Sequence, residues 1–288
     1  MLGWLVVNGF IESKKFNELY TFLQNAANKV NIDLYVKNTC DLLCTIDDQF
    51  QNCELPDFVL FWDKDIYLAK RLEAIGLKVY NSAKAIEICD NKILTGITLN
   101  GQVKTPKTII APKTFEGLNY TKRDFVDHAM KRLGCPMIIK EAYGSFGQQV
   151  YLVHNLKEAN TVIDSLGHKD FIMQEFIDTS IGKDIRINVV GEKVVSSMLR
   201  YNDNDFRSNI SNGGSMKPYI TNSKIDNIAI LACKAIGLDF AGVDVLFGKN
   251  DEYIICEVNS NPHFKSSFEC TGIDMSIEIM EYIKRDLI

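Results

Sequence analysis

Apolar residues in the first 80 positions alternate between the spacing of strands and the spacing of helices. The apolar run Gly3 to Val7 precedes a helical stripe and the strand-like IDLYVK, and DFVLFW, KRLEAIG and LKVY then repeat the alternation. The stripe consists of Phe16, Leu19, Tyr20, Leu23, Ala26, Ala27 and Val30. This order predicts a small α/β domain with a parallel sheet. No GxGxxG follows the first strand, so we predict no dinucleotide site there.

The pattern further along the chain predicts a second group of elements. Helices are expected over about 90–99 and 125–133, each followed by a glycine, with the strand-like VKTPKTII between them. PMIIKEA and QQVYLV have the composition of two strands joined by GSFG. Asn155 is positioned to cap a helix over 156–166.

A third group of elements extends to the end of the sequence. DFIMQEFI and DIRINVVG are strand-like, GEK marks a hairpin turn, and the polar loop DNDFRSNISNGG follows. A helix is expected over about 222–236, and a closing helix from Ile273. Between these helices, AGVDVLF and YIICEVN are predicted to pair as an antiparallel hairpin.

Polar side chains interrupt the last of these strands at every second position. Glu257, Asn259 and Asn261 would face the same side, and the hairpin places Asp244 opposite Glu257 to within about one residue. Oxygen ligands of this kind suit magnesium, which is usually held by one or two carboxylates and by substrate phosphates. The alternative is that both carboxylates pair with lysine or arginine on a solvated sheet face.

A lysine and a glycine-rich loop follow the apolar PMII. Lys140 leaves this strand, and GSFG places Gly144 and Gly147 where backbone N–H groups could approach a polyphosphate. The loop is not a Walker A motif, because no GK[ST] follows it. A phosphate cradle is one interpretation, and a hairpin turn with Lys140 reaching to solvent is the other.

Arginines occur in two further polar segments. DFRSN places Arg207 in a loop, where a guanidinium group could bind phosphoryl oxygens or simply remain solvated. In KDIRI, Asp184 and Arg186 lie two residues apart on one strand face, where an ion pair between them is the simple expectation.

Composition limits the class of protein. The 288 residues are 46% hydrophobic and 24% charged, which is typical of a compact fold with two or three subdomains. A net charge of -5 argues against a nucleic-acid partner. The eight cysteines form no CxxC pair, so reduced thiols are expected. Because no signal-peptide pattern and no apolar run of about 18 residues occurs, we expect a cytoplasmic protein without a membrane partner.

The motifs in their order resemble those of the ATP-grasp ligases, and among these the RimK-like amino-acid ligases. The matching segments run from about Asp90 to the end of the sequence and are DNK, GQVKTPKT, IIKEAYGSFG, MQEFI, DIR, VVGEKVV, DFRSN, GVDVL, EVNSNP and TGID. The resemblance implies an α/β ATP-grasp fold. It divides the chain into a pre-ATP-grasp α/β domain (1–89) and two α+β ATP-grasp subdomains (90–174 and 175–288).

The resemblance also implies roles for residues that match the family's motifs. Lys92 and Lys140 would bind the nucleotide phosphates, beneath a flap that contains Gly144, Ser145 and Gly147. The segment Gln174, Glu175, Phe176 and Ile177 would hold adenine, with Asp184 near the ribose. Arg207, Ser208 and Asn209 would approach the triphosphate, and Asp244, Glu257 and Asn259 would bind the metal ion. Lys140 and Arg207 would be catalytic, and Arg200, Asn261 and His263 would contact substrate, although His263 could equally be an ordinary surface histidine.

The implied activity is that of an ADP-forming ligase that joins an amino acid to a carboxylate. Its cofactors would be ATP and magnesium, with manganese as the alternative ion, and the carboxylate would belong to a peptide, a protein tail or a small metabolite. The carboxylate would become an acyl phosphate, which an amine then displaces. A ligase with a non-peptide product and a nucleotide-binding module without turnover stay open as alternatives. A homo-oligomer is also left open.

Two positions depart from the family pattern. Gln149 stands where the flap often has another glycine. Tyr201 follows Arg200 where glutamate-adding relatives tend to have a second basic residue. The second departure puts glutamate itself in doubt as the added amino acid.

Overall fold

The computed structural model describes residues 1–43, 46, 54–144 and 147–288. Its strands are β1 (Leu2–Val7), β2 (Asp33–Asn38), β3 (Phe58–Phe61), β4 (Val79–Tyr80), β5 (Thr108–Ile110), β6 (Met137–Glu141), β7 (Val150–Val153), β8 (Phe171–Glu175), β9 (Lys183–Val190), β10 (Lys193–Tyr201), β11 (Ser215–Pro218), β12 (Phe240–Phe247) and β13 (Tyr253–Asn259). Its α-helices are α1 (Lys14–Lys29), α2 (Ile66–Ala74), α3 (Ala83–Asp90), α4 (Lys92–Leu99), α5 (Asp124–Leu133), α6 (Leu156–Leu166), α7 (Ser223–Ile236), α8 (Lys265–Thr271) and α9 (Met275–Leu287).

The first four strands form a parallel sheet in the order β2-β1-β3-β4, which confirms the predicted parallel domain. Leu5 of β1 lies opposite Val36 of β2 and Leu60 of β3. β3 is buried along its whole length. A parallel strand covered on both faces needs a continuous apolar run, and FVLF supplies one.

One face of this sheet packs against α2 and α3, whereas the other face shares a core with later parts of the chain. Leu5 and Leu23 belong to one buried cluster with Phe240 of β12 and Ile279 of α9. Trp62 stacks on Phe240 with ring centroids 5.4 Å apart. The first and last parts of the chain therefore share a core, in which each large buried side chain contributes about 1.5 to 3 kcal/mol. The predicted division at residues 89 and 174 stays a prediction.

Two further sheets are formed by strands from the middle and later parts of the chain. One has the order β5-β8-β6-β7, and the other has the order β11-β10-β9-β12-β13. All of their strand pairs are antiparallel. As predicted, Asn155 caps α6, because its side chain accepts a hydrogen bond from the Glu158 N–H. No helix in the described ranges is both long enough and apolar enough to cross a membrane.

Helix boundaries differ from the sequence prediction in two places. The helix expected from about Asp90 begins at Lys92, because Asn91 is extended and its side chain accepts hydrogen bonds from the first turn of α4. Residues before it form the separate helix α3, which was not predicted. The short α8 was also missed, and its first turn has no side-chain cap that could have indicated it.

The β12–β13 hairpin has the predicted register. Asp244 lies opposite Glu257, and the next pair is Val245 with Ile255, so Cys256 is an extra residue in a β-bulge. A bulge increases the local twist and changes the direction of neighbouring side chains. The bulge lies beside the carboxylates of Asp244 and Glu257, which were predicted to face each other.

We predict that Asp239→Asn stabilises the protein more at about pH 8 than at about pH 4. Burial is the main cause that raises the pKa of Asp239 to about 6, although Tyr282 donates a hydrogen bond to it and Lys78 lies nearby. A raised carboxyl pKa contributes stability at low pH that is lost as the pH rises through about 6. Asparagine removes that loss, which is worth about 2 kcal/mol.

Melting temperatures of wild type and variant across this pH range test the prediction. Asp33→Asn, at an exposed site, is the matched control and should give a difference that does not change with pH. A gain from Asp239→Asn that is equal at both ends of the range would contradict the assignment.

Candidate active site

A cavity between the two antiparallel sheets gathers most of the predicted site residues. Strands β6 and β8 contribute residues from one sheet, and β9, β10, β12 and β13 contribute from the other. The predicted residues that line it are Lys92, Lys140, Gly144, Gly147, Gln174, Glu175, Phe176, Ile177, Asp184, Arg200, Arg207, Ser208, Asn209, Asp244 and Glu257. Ser145 lies outside the described residues. We call this space the inter-sheet cavity.

Two lysines lie at one end of the inter-sheet cavity. Lys92 Nζ is 3.1 Å from the Gly144 carbonyl oxygen and 3.9 Å from Glu257. Burial lowers the pKa of Lys92, and Glu257 partly offsets this effect. Lys140 is 8% exposed and contacts the Cys256 thiol at 3.6 Å, so it does not reach to solvent. Two desolvated ammonium groups make this end favourable for a polyanion.

The glycine-rich turn closes over the same end. Gly147 has a φ of +70°, and a Cβ atom there would lie 2.9 Å from Asn209 Oδ1. Its carbonyl oxygen accepts a hydrogen bond of 2.6 Å from Arg207 Nη1. Glycine at this position therefore permits both the left-handed backbone and the close approach of two loops.

Arg207 is held in place by a neighbour in its own loop. Its Nε and Nη2 donate to the two carboxylate oxygens of Asp205 at 3.0 and 2.7 Å. This ion pair raises the pKa of Arg207. The guanidinium group thus bridges its own loop and the glycine-rich turn, and it is only partly exposed.

Apolar side chains line another part of the inter-sheet cavity, which we call the apolar slot. Ile138, Ile177 and Leu246 line it, together with Phe176, whose ring makes an edge contact with Phe206. Gln174 lies opposite Ile138 on the neighbouring strand, and its Nε2 donates to Thr108 Oγ1 at 2.9 Å. Apolar side chains with a few polar groups beside them suit a heteroaromatic ring.

The carboxylates in the floor are paired with arginines. Asp244 is 4% exposed and accepts hydrogen bonds from Arg186 and Arg200, each with an Nη2–Oδ2 distance of 3.0 Å. Burial would raise the pKa of Asp244, but the two guanidinium groups outweigh it and hold the pKa below its usual value. Asp244 therefore pairs with arginines, as the alternative interpretation proposed, but in a buried setting and not on a solvated sheet face.

Arg200 joins Asp244 to a second carboxylate. Its Nε and Nη2 donate to Asp184 at 2.7 and 2.5 Å. The predicted ion pair between Asp184 and Arg186 is wrong, because each finds its partner on a neighbouring strand instead. Asp184 lies opposite Arg200, and Arg186 lies opposite Asp244. Asp184 and Arg186 do lie on the same face of β9. Their ion-pair partners, however, are set by the order of the strands, which places β10 on one side of β9 and β12 on the other.

The residues fit a divalent cation that phosphates help to hold. Three hydrogen bonds from arginines leave Asp244 one unused lone-pair site of about four. Glu257 is more accessible, and Asn259 donates to the Gly242 carbonyl, so its own oxygen stays available. Within the described ranges, no group of three His, Cys, Asp or Glu side chains could hold a metal ion alone. Magnesium often needs only one or two carboxylates when phosphates complete its shell.

A second cavity of about 310 Å³ adjoins the first, and we call it the acceptor cavity. It shares Arg200, Asn209 and Glu257 with the inter-sheet cavity. Residues of the N-terminal sheet also line it, and the other predicted site residues in it are Asn259, Asn261 and His263. His263 is partly buried against the Phe16 ring, and burial lowers its pKa to about 4.

Several residues of the two cavities were not predicted. Arg186 had been considered only as a partner of Asp184. Cys256 was not considered because its contact with Lys140 depends on the bulge. Asp205 was visible in DFRSN as an acid two residues before Arg207. Asp63 was visible as an acid directly after the apolar DFVLFW, at the end of a parallel strand.

Comparison with known sequences and structures defines the class of protein. The RimK-like ATP-grasp domain matches residues 89–283. The chain is 32% identical over 265 residues to an uncharacterized protein of Mycoplasma pneumoniae, covering 91% of each chain. It is 30% identical over 229 residues to the glutamate–LysW ligase ArgX of Sulfurisphaera tokodaii, covering 77% of this chain and 78% of that protein.

Solved ATP-grasp structures share the fold. The RimK domain protein of Sphaerobacter thermophilus superposes with a TM-score of 0.76 at 16% identity, over 98% of this chain and 99% of that one. The ATP-grasp ligase PsnB, solved with a precursor variant, Mg and ADP, gives 0.73 at 14% identity over 99% and 98%. The predicted fold class is confirmed as that of the ATP-grasp ligases. Within this class, the chain belongs to the RimK-like family.

We predict that Arg186→Met lowers the free energy of unfolding by about 3 kcal/mol, because it leaves Asp244 buried with one partner fewer. Urea denaturation measures the change. Arg132→Met, at an exposed position on α5, removes the same charge and should change the free energy by less than about 0.5 kcal/mol. Equal effects of the two substitutions would show that Asp244 does not depend on Arg186.

Proposed function

We propose that the protein is an ATP-dependent, ADP-forming ligase that joins the amine of an amino acid to a carboxylate through an acyl phosphate. One observation carries the proposal: the inter-sheet cavity is lined by the apolar slot of Ile138, Ile177, Leu246 and Phe176 and also by Lys92, Lys140, Arg207 and Glu257. This combination suits a nucleotide, because the base is a flat heteroaromatic ring and the triphosphate is highly charged. Family membership supports the same conclusion, since the ATP-grasp fold binds ATP.

In this proposal the slot holds adenine and the charged end holds the triphosphate. Gln174, Glu175, Phe176 and Ile177 surround the base, and Asp184 lies toward the ribose. Lys92 and Lys140 supply point charges to the phosphates, while Gly144 and Gly147 bring the backbone of the turn close to them. Ser208 and Asn209 lie beside Arg207 in the facing loop.

Glu257, Asn259 and the free site of Asp244 would hold magnesium, or manganese in its place. The ion would reduce the repulsion between triphosphate and carboxylates and neutralise charge during phosphoryl transfer. Lys140 and Arg207 would stabilise the same charge from the other side. Three of the five N–H donors of Arg207 are engaged by Asp205 and the Gly147 carbonyl, so the other two can reach a phosphoryl oxygen.

The chemistry has two steps. A carboxylate oxygen bonds to the γ-phosphorus, and the bond from that phosphorus to the β–γ bridging oxygen breaks, so that ADP leaves. The amine nitrogen then bonds to the acyl carbon, the carbon–oxygen bond to phosphate breaks, and the nitrogen loses a proton. The protein's contribution is chiefly positioning and charge stabilisation.

The acceptor cavity is the proposed position of the two other substrates. It adjoins the charged end through Glu257 and Arg200 and extends to Asn261 and His263. The named relatives include glutamate ligases, but Tyr201 replaces the expected second basic residue. We therefore propose an amino acid without restricting it to glutamate, and a carboxylate of a peptide, protein tail or small metabolite.

We predict that hydroxylamine, supplied in place of the amine, converts the activated carboxylate into a hydroxamate with release of ADP and phosphate. Hydroxylamine is a strong nucleophile that attacks acyl phosphates. Incubation with ATP, magnesium and a panel of dicarboxylic acids and peptides, followed by mass spectrometry, identifies the carboxylate. Glu257→Gln should abolish the product.

Two other outcomes would exclude this mechanism. Hydroxamate formed with AMP and pyrophosphate would indicate adenylation instead of phosphorylation. Absence of both hydroxamate and ADP across the panel of carboxylates would support a nucleotide-binding module without turnover.

We predict that Arg207→Lys lowers turnover by about three orders of magnitude while nucleotide affinity changes much less, because an ammonium group cannot replace the guanidinium fork at the transferring phosphoryl group. Turnover is measured as ADP release, and affinity as binding of a fluorescent ATP analogue. Arg132→Lys serves as the control at an exposed site. Near-normal turnover of Arg207→Lys would show that Arg207 has only a structural role in its loop.

A further inference from the structure

The acceptor cavity lies at the carboxyl ends of β1 and β3. Asn8 directly follows β1, and Asp63 comes two residues after β3. In the order β2-β1-β3-β4, the chain leaves β1 toward one edge of the sheet and β3 toward the other. The crevice at such a reversal, outside the carboxyl ends of the strands, is where open parallel sheets bind ligands.

Asp63 is a well-positioned carboxylate without a counter-ion. Asn8 Nδ2 donates to its two oxygens at 3.2 and 3.3 Å, and the N–H of Phe10 in turn orients Asn8. Among the residues that the structure describes, no lysine, arginine or histidine forms an ion pair with Asp63. Burial raises the pKa of Asp63, which shows that the carboxylate is poorly solvated where it stands.

Two more polar groups in the acceptor cavity lack partners. Asn261 Nδ2 donates to the Asp63 backbone carbonyl at 2.9 Å, so the amide orientation is fixed and its oxygen must act as an acceptor elsewhere. That oxygen is buried without a hydrogen bond in the described structure, and so is His263 Nε2. The imidazole is neutral at physiological pH and does not repel a cation.

This arrangement selects for a particular kind of ligand group. Lys15, Lys64, Arg186 and Arg200 also line the acceptor cavity and suit the carboxylate groups of its substrates. Beside Asp63, however, an anion would be repelled, and a neutral apolar group would leave the Asn261 oxygen without a donor. An ammonium group carries three N–H donors and one positive charge. The rings of Tyr20 and Trp62 also line the cavity, and aromatic rings attract ammonium groups.

We propose that Asp63, with the side chains of Asn261 and His263, binds the ammonium group of the incoming amino acid. This inference rests on the proposed ligase function and names the substrate group that the acceptor cavity recognises. Because Glu257 and Asn259 line the same cavity, the bound nitrogen would lie on the side from which it must approach the activated carboxylate, after it has passed one proton to the Asp63 carboxylate. Asp63 is therefore a binding residue for the amine, distinct from the residues that hold the nucleotide.

The test compares a charged and an uncharged nucleophile in the same variant. At neutral pH an amino acid carries an ammonium group, whereas hydroxylamine is uncharged and needs no carboxylate to bind it. Asp63→Asn should raise the KM for the amino acid by about 10- to 100-fold, the loss expected for one charge-assisted hydrogen bond. Hydroxamate formation with the same carboxylate should change less than about 3-fold. The amino acid used is whichever of the twenty common ones gives the fastest ADP release in wild type.

Asp65→Asn is the matched control. It removes the same charge two residues away, does not line the acceptor cavity, and can still cap α2 as asparagine. Both activities of this variant should equal those of wild type. The melting temperature of Asp63→Asn, together with its retained hydroxamate formation, establishes that the variant is folded.

Each outcome has a separate meaning. An unchanged KM for the amino acid in Asp63→Asn, or an equal loss of amide and hydroxamate products, overturns the ammonium site while the ligase function stands. A wild type that releases no ADP with any amino acid or carboxylate, and forms no hydroxamate, overturns the proposed function itself and this inference with it.

Discussion

The buried cluster of two arginines and two aspartates is the interaction on which the site depends. Arg186, Arg200, Asp184 and Asp244 come from three adjacent strands of one sheet, and their formal charges cancel. A single buried charge would be strongly unfavourable, but here every member has a hydrogen-bonded partner. The cluster fixes the floor of the inter-sheet cavity, and Lys92, Lys140, Lys183 and Arg207 are further cations that line this cavity in the described part of the chain.

The two cavities are lined by different parts of the chain. Residues that follow the family's motifs surround the inter-sheet cavity, whereas the acceptor cavity depends also on loops of the N-terminal sheet. Among the predicted site residues that the structure describes, only Glu257, Arg200 and Asn209 line both. Substitutions in the N-terminal loops can therefore reshape the acceptor cavity without touching the lining of the inter-sheet cavity.

Much of this organisation could be predicted from local signals in the sequence. The β12–β13 hairpin is one example, because a short turn fixes register and so brings Asp244 opposite Glu257. The partner of Asp244 could not be found in this way, since it depends on β9 lying between β10 and β12. Asp63 also could not be predicted as a site residue. A single acidic residue after a strand is a weak signal, and only the fold shows that Asp63 lies beside Asn261. The individual site residues could be predicted chiefly from the order of several motifs, none of which is specific alone.

The shared core has a consequence for how the protein is made. α1 buries Leu19 and Leu23 in the same cluster as Met275, Ile279 and Ile283 of α9. Because a ribosome delivers the chain from its N-terminus, the part of this apolar face that α9 covers stays exposed until α9 has been synthesised. During translation this part of α1 is an apolar surface that chaperones can protect.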